Sequence, residues 1–475
     1  MSEKENAKLV TCLEENQAGL RNQLRTDHNF DIIERQTMVA DRNACLFFVD
    51  GFVKDEIMEK LMEFFYSIVP EDLPEDSGGL FEGFIPYIEV NLMENQEEIV
   101  TGILSGMMCL MIDGYSRCFL IDCRTYPVRS VEEPEKDKVL RGSRDGFVET
   151  IIFNTALIRR RIRDPNLSIE LCTAGTASKT DIVLCYMQDR ADLNFLHKIQ
   201  KKITTLKVDA LTMNQESLAE CLYPGKWWNP FPKFKYTERP DTAAACLLEG
   251  KIVLLVDNSP SAMILPAAML DILEEADDYY FPPITGTYLR LSRFLIALFT
   301  LFLTPVWLLL MQNPDWIPAG LDFIRMEENP QVPLILQLLL LELAIDGLRL
   351  AAINTPSMLT TPLSVIAGIT VGEYAVGSGW FSEETMLYMA FVAISNYTQA
   401  SYELGYAFKF MRILLLILTF FGNLIGFCVG IGVIFLFLLL NRTVSGESYL
   451  YPLLPLHIKK LGERIFRRRI HYTRE

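Results

Sequence analysis

Glu342, Asp346 and Arg349 stand four and three positions apart inside the apolar run 332–353, a spacing that places all three on one face of a helix. Charges facing lipid are costly, so such a face belongs on a pore, a water-filled cavity or a seam between subunits. A purely structural alternative stays open: Asp346 pairs with Arg349 and Glu342 bonds to a neighbouring helix. Glu373 lies on a second apolar segment, 357–379, which Pro362, Gly368, Gly372 and Gly377 interrupt. In a symmetric ring one such carboxylate per subunit favours cations. Pro362, Gly368 and Gly372 are then the candidate gate or bend, although glycines also serve plain helix packing. The four histidines, His28, His197, His457 and His471, do not stand at metal-ligand spacing from a cysteine or carboxylate. No nucleophile and base can be assembled either, so the chain reads as a non-enzyme without a metal or cofactor.

These residues require a membrane domain to position them. The run 294–311 carries no charge, follows Arg290 and Arg293, and has Trp307 near its far end. Spanning takes roughly 20 mostly apolar residues with interfacial anchors, which this run supplies. The runs 332–353, 357–379 and 384–402 follow, the last polar at its second end. The final run, 413–440, is longer than one perpendicular crossing needs and predicts tilt or a kink near Gly422 and Asn423. Arg290 and Arg293 before the first span, against the acidic loop 312–331, place the preceding soluble part in the cytoplasm. Residues 1–40 lack the apolar core of a signal peptide. The tail, with Lys459, Lys460, Arg464, Arg467, Arg468, Arg469 and Arg474, is expected on the same side, against anionic lipid. Both ends inside require an even number of crossings. Four are expected from the five runs, with the third or fourth partial; the other option is that the last run is two short ones. Lys409 and Arg412 fit this count poorly.

The formal net charge of −16, from 44 basic and 60 acidic residues, excludes a general nucleic-acid binder. Ten cysteines are scattered without a CxxC pair; Cys109, Cys118, Cys123, Cys172 and Cys185 read as reduced core thiols in a cytoplasmic domain. Before Tyr288 two α/β modules are predicted. The first has a strand at 44–49, a helix at 54–68 and a hairpin, 107–112 with 118–122, turning at Asp113-Gly114. After a charged linker, 131–138, the second has a helix at 147–162, strands at 168–172 and 181–187, a helix at 191–203 and a hairpin, 251–256 with 262–265. No internal repeat is evident. The fold class is an α/β two-module cytoplasmic N-terminal domain followed by an all-α polytopic transmembrane domain and a short basic C-terminal tail. The expected divisions are an extension at 1–40, modules at 41–130 and 139–287, spans within 288–441 and the tail from 442.

Three motifs remain. In RGSRDGFVE, 141–149, Arg141 and Arg144 ahead of a helix suit an anion. The reading adopted is a contact between modules or subunits that also uses Glu149, because the Walker spacing is absent. In KFKYTERPDTAA, 233–244, Pro240 suits a first helical turn and Thr237 or Glu238 its cap. Glu238, Arg239 and Asp241 are assigned to the same kind of contact. DDYYFPPITGTYLRLSR, 277–293, joins the soluble part to the first span without a flexible linker.

In order and spacing, RGSRDGFVE, YTERPD with LLEGKIVLLVDNSP, DDYYFPPITGTYLRLSR and the broken TPLSVIAGITVGEYAV resemble the spore germination receptor A-subunit (GerA) family across most of 30–470. KWWNPFPKFKYTERPDTAA and DYYFPP resemble its stage V sporulation protein AF branch more than its nutrient-receptor branch. The resemblance implies an inner-membrane protein of endospore-forming bacteria, acting when dormant spores return to growth as an oligomeric, ligand-gated ion-channel subunit. It implies companion germination membrane proteins: a transporter-like B-subunit and a lipoprotein C-subunit in the nutrient branch, the dipicolinic-acid release machinery in the AF branch. Expected partners are further copies of the chain, those proteins and anionic lipid, and not nucleic acid. A non-conducting scaffold stays open. A secondary transporter would show two related halves.

Overall fold

The computed structural model describes residues 8–83, 89–124, 139–223, 228–326, 331–354, 368 and 373–467. The chain divides into two compact units, Met1–Pro224 with Phe234–Pro266, and Gly225–Lys233 with Ala267–Glu475.

The first unit contains one fold written twice. The first copy runs α1 (Leu13–Leu24), β1 (Ile32–Val39), β2 (Arg42–Val49), α2 (Asp55–Ser67), α3 (Ser77–Gly83), β3 (Val90–Met93), α4 (Gln96–Leu104), β4 (Met108–Ile112) and β5 (Cys118–Ile121). The second runs α5 (Ile151–Arg161), β6 (Leu167–Ala174), β7 (Thr180–Met187), α6 (Leu193–Thr204), α7 (Asn214–Leu222), β8 (Lys235–Thr237), α8 (Pro240–Leu248), β9 (Ile252–Val256) and β10 (Ala262–Leu265). Each copy forms a five-stranded antiparallel sheet, in the orders β1-β2-β4-β5-β3 and β6-β7-β9-β10-β8.

Equivalent residues also do equivalent work. Asp113 accepts from the first N–H of α1, at Leu13 (3.1 Å), and Asp257 from the first N–H of α5, at Ile151 (3.4 Å). Asn16 closes a loop onto both backbone groups of Val10, at 2.9 and 2.6 Å, and Asn154 does the same to Val148, at 2.8 and 2.5 Å. The β4–β5 and β9–β10 turns need a positive φ, which Gly114 supplies at 87° and Asn258 at 62°. The expectation of no internal repeat is therefore corrected. The likeness lies in caps and turns, where geometry dictates residue type, while the core keeps only its apolar character.

In the first copy, Cys45, Phe47, Cys109 and Met111 face α1 and α4, whereas Ala44, Leu46, Met108 and Leu110 face α2. Helices on both faces explain why these strands read as unbroken apolar runs. Residues 13–39, expected as an extension, supply a helix and a full-length strand of this sheet because β1 pairs with β2 from Ile32 to Val39. The linker 131–138 lies outside the described residues.

The second unit is helical: α9 (Met269–Leu273), α10 (Asp277–Tyr280), α11 (Pro283–Gln312), α12 (Leu334–Asn354), α13 (Glu383–Tyr397), α14 (Tyr402–Leu440) and α15 (Ile458–Ile465), with short 3-10 pieces and a single turn at Ala375–Gly377 between them. Among the described residues two helices, α11 and α14, are long and apolar enough to cross a membrane. α14 is not straight. Asn423 sits at φ 49°, ψ −134°, and the helix is two arms meeting there. A methyl on Gly426 would strike the Leu418 carbonyl, and one on Gly430 a Leu415 methyl. In an unbroken helix those pairs stand roughly 12 and 22 Å apart along the axis. The arms 402–422 and 424–440 therefore fold back on each other, and the small residues allow the close approach. Residues 228–233 pack into this unit, with the Phe231 ring 5.9 Å from that of Tyr449 and Trp228 5.2 Å from Phe437.

Candidate functional site

The charges of α12 meet two cations on the first arm of α14. Arg412, 0 % exposed, donates to Glu342 at 2.7 Å and to the Thr300 carbonyl. Lys409 bonds to Asp346 and to the Glu342 carbonyl (3.1 Å), with the Glu342 carboxylate at 3.5 Å. Arg349 does not pair with Asp346; it lies over the rings of Tyr397 (4.7 Å) and Tyr406 (5.2 Å). The seam is thus a cross-linked cluster in which Glu342 is neutralised from a neighbouring helix. Lys409 and Arg412, spaced to complement the two acids, were the signal that sequence reading left as a puzzle of topology. Glu373 is exposed at a π-helical turn with Tyr374, and Gly368 is also π-helical and exposed. Pro362 and Gly372 lie outside the described residues.

The two arginine-bearing motifs come together inside the second copy of the α/β fold. The Phe147 N–H donates to the Glu238 carbonyl at 2.8 Å. Arg239 donates to the Asp241 carboxylate at 3.1 and 2.6 Å and to the Ser143 carbonyl at 2.9 Å. Pro240 opens α8 as expected, but the capping position is Arg239, not Thr237 or Glu238, and its side chain makes no cap bond. Asp241 instead takes the Thr242 N–H at 2.7 Å, putting negative charge at the positive end of the helix. Arg141, Arg144 and Glu149 are exposed, and none makes an ion pair among the described residues. The working acid of that motif is Asp145, held by Arg161 at 2.6 Å.

The two copies are joined by residues that no motif contains. Arg159 and Asp31, 0 % and 1 % exposed, form a two-point pair at 2.8 and 3.0 Å. Arg159 also donates to Asn29 (3.0 Å) and the Leu167 carbonyl (3.2 Å), and the Asn29 side chain accepts the Ile169 N–H at 2.9 Å. Beside this joint lies a cavity of about 600 Å³ whose polar lining includes His28, Glu170, Tyr186, His197 and Gln200. Glu170 takes the Tyr186 hydroxyl at 2.6 Å, and His28 Nδ1 lies 3.0 Å from it. Burial, and then the hydrogen bond to Glu170 and its charge, push the Tyr186 phenol up to about 12. Burial likewise raises the Cys45 and Cys123 thiols to about 12 and about 11, keeping them protonated. Among the described residues no group of His, Cys, Asp and Glu could hold a metal ion.

A collar of charge surrounds the start of α11. Asp278, 0 % exposed, takes Arg290 at 3.1 Å and Arg293 at 2.7 Å. Glu274 takes Arg290 at 2.6 Å and also Arg464, while Asp271 lies 2.9 Å from Arg464. Arg290 further donates to the carbonyls of Glu463 and Arg464, both at 3.1 Å, and so caps the end of α15. Arg467 donates to the carbonyls of Tyr279 (2.6 Å) and Phe281. Gly286 has no room for a side chain because the Asp278 carbonyl and Arg467 pass there. Two arginines of the tail are thus turned toward protein.

The family model described as Bacillus/Clostridium GerA spore germination protein matches residues 19–475. The stage V sporulation protein AF of Bacillus subtilis (strain 168) is 35% identical over 454 residues, 95% of this chain and 92% of that protein. Spore germination protein XA of Bacillus anthracis is 30% identical over 389 residues, 80% of this chain and 77% of that one. Among solved structures, the N-terminal domain of the A subunit of the Bacillus megaterium spore germinant receptor GerK3 aligns at a TM-score of 0.42 and 24% identity, over 56% of this chain and 98% of that one. Because the family match runs through the duplicated α/β unit and the helical unit alike, the chain belongs to the GerA family of spore germination proteins.

Proposed function

We propose that the chain is a component of the germination apparatus in the spore membrane, acting as one subunit of an oligomeric ion channel that contributes to ion release. The observation that carries this reading is Glu373, an exposed carboxylate at a π-helical turn within an apolar helical unit. Irregular backbone survives at membrane depth only where it is shielded from lipid or lines water. The collar, which brings residues 464–467 to the start of α11, supports a multi-pass arrangement in which the tail returns to the side where α11 begins. The likeness to the stage V sporulation protein AF favours an accessory role beside other germination membrane proteins over nutrient sensing. The reading gives the chain no catalytic step and no cofactor.

Glu373→Gln in planar bilayers tests it, with altered cation selectivity as the expected result. Unchanged current and selectivity would remove Glu373 from the pathway. A second reading, a non-conducting membrane scaffold, is favoured by the pairing of Glu342 and Asp346 with Lys409 and Arg412, which uses those charges to hold helices together. Liposomes containing the purified chain separate the two, because a scaffold passes no ions.

A further inference from the structure

After the second arm of α14 the chain forms a compact turn and then α15, IKKLGERI. Ile458, Leu461 and Ile465 recur at helical spacing and share one face, with Lys459 and Lys460 on the opposite side. No residue of this helix is buried. Ile458 is 76 % exposed, and Leu456 and Phe466, just outside the helix, are 59 % and 55 % exposed. The collar holds one end of this helix. Arg290 holds the carbonyls at the end of α15, and the Arg467 N–H donates to the Thr287 hydroxyl at 3.1 Å. The C-terminal end of this helix is therefore held at the first turns of α11, a helix whose exposed apolar residues Leu291, Leu295, Leu298 and Phe299 follow directly. A short amphipathic helix at that level, apolar on one side and lysine-bearing on the other, has the composition of one that lies in the headgroup region of a bilayer.

We propose that Leu456, Ile458 and Phe466, together with Lys459 and Lys460, form a docking site for an anionic lipid surface, while Arg464 and Arg467 serve the collar. The basic tail is thus divided by function: two lysines attract lipid, and two arginines hold the helix at interfacial depth. This rests on the reading of α11 as a membrane span, and continuity with its exposed apolar residues and the complementary charge select lipid as the occupant.

The test places a benzophenone amino acid at position 458 of the full chain, reconstituted in bilayers of phosphatidylcholine with or without phosphatidylglycerol. Irradiation is followed by mass analysis of the adducts. Position 299 on α11 and position 38 on the soluble unit serve as membrane and water references. The expected result is a lipid adduct at 458 and 299 but not at 38, stronger with phosphatidylglycerol. The Lys459→Gln, Lys460→Gln variant should lower the yield at 458 roughly fivefold or more, as the loss of two lysines near an anionic surface implies. A lipid adduct at 299 without one at 458 overturns the proposal and leaves the span reading intact. Cross-linking of 458 to protein instead assigns the face to a protein partner and also overturns it. No lipid adduct at either position removes the span reading itself, and the proposal with it.

Discussion

At the scale of single residues, the most consequential pair is Arg159 with Asp31, because both are out of water and their opposite charges meet at hydrogen-bonding distance through two contacts. Replacing Arg159 by Met leaves a buried carboxylate uncompensated and should cost about 3–5 kcal/mol of stability, much of it recovered when Asp31 is also made Leu. Urea unfolding of the two variants of the whole chain checks this. Lys233 makes a pH prediction. It is buried, donates to Asn441 and to the Arg442 carbonyl at 2.6 Å, and burial pushes its ammonium from the ordinary 10.5 down to about 8. Between those values the unfolded chain holds more protons than the folded one, so stability rises as pH increases. The phenol of Tyr449, raised well above its ordinary 10.0 by burial, reverses the slope above that pH. Thermal melts should therefore show a rise between about pH 8 and 10 that Lys233→Met flattens. At this scale the sequence was legible where a charge stood out against apolar neighbours, as for Glu342 and Asp346. It was silent on Lys409 and Arg412 as their partners, because a buried pair is legible only when both helices are placed.

At the scale of elements, the duplicated fold gives a paired prediction. Asp113 and Asp257 hold the first turns of α1 and α5 in the same way, so Asp113→Ala and Asp257→Ala should each cost about 1 kcal/mol in unfolding experiments, the usual worth of a lost helix cap. A cost confined to one site would mean that the copies have diverged in what holds them. Most strands were readable because helices cover both sheet faces and leave runs such as MCLMI and IVLLV without a polar break. The repeat was not readable because it survives in Leu104-x-Gly106 with Asp113-Gly114 and in Leu248-x-Gly250 with Asp257-Asn258, separated by cores free to exchange one apolar residue for another. The fold-back of α14 was half legible. Gly422 and Asn423 marked a bend, but reversal depends on an Asn at positive φ and on Gly426 and Gly430 facing the other arm, which composition alone does not reveal.

At the scale of the molecule, Pro282 and Pro283 end the collar segment and open α11, with Pro283 in its first turn. A Gly-Ser insertion after Pro283 would separate Asp278 from Arg290 and Arg293, and should abolish germination output while leaving protein levels normal. Normal germination with the insertion would make the joint passive. The course of the chain carries one more consequence. Gly225–Lys233 belongs to the helical unit, although the residues on both sides of it belong to the α/β unit. An exchange of membrane parts between relatives therefore has to move two separate stretches of gene at once. A swap made only beyond Pro266 would leave Trp228, Phe231 and Lys233 matched to the donor they came from, so recombination within this family is expected to favour breakpoints that keep the two stretches together.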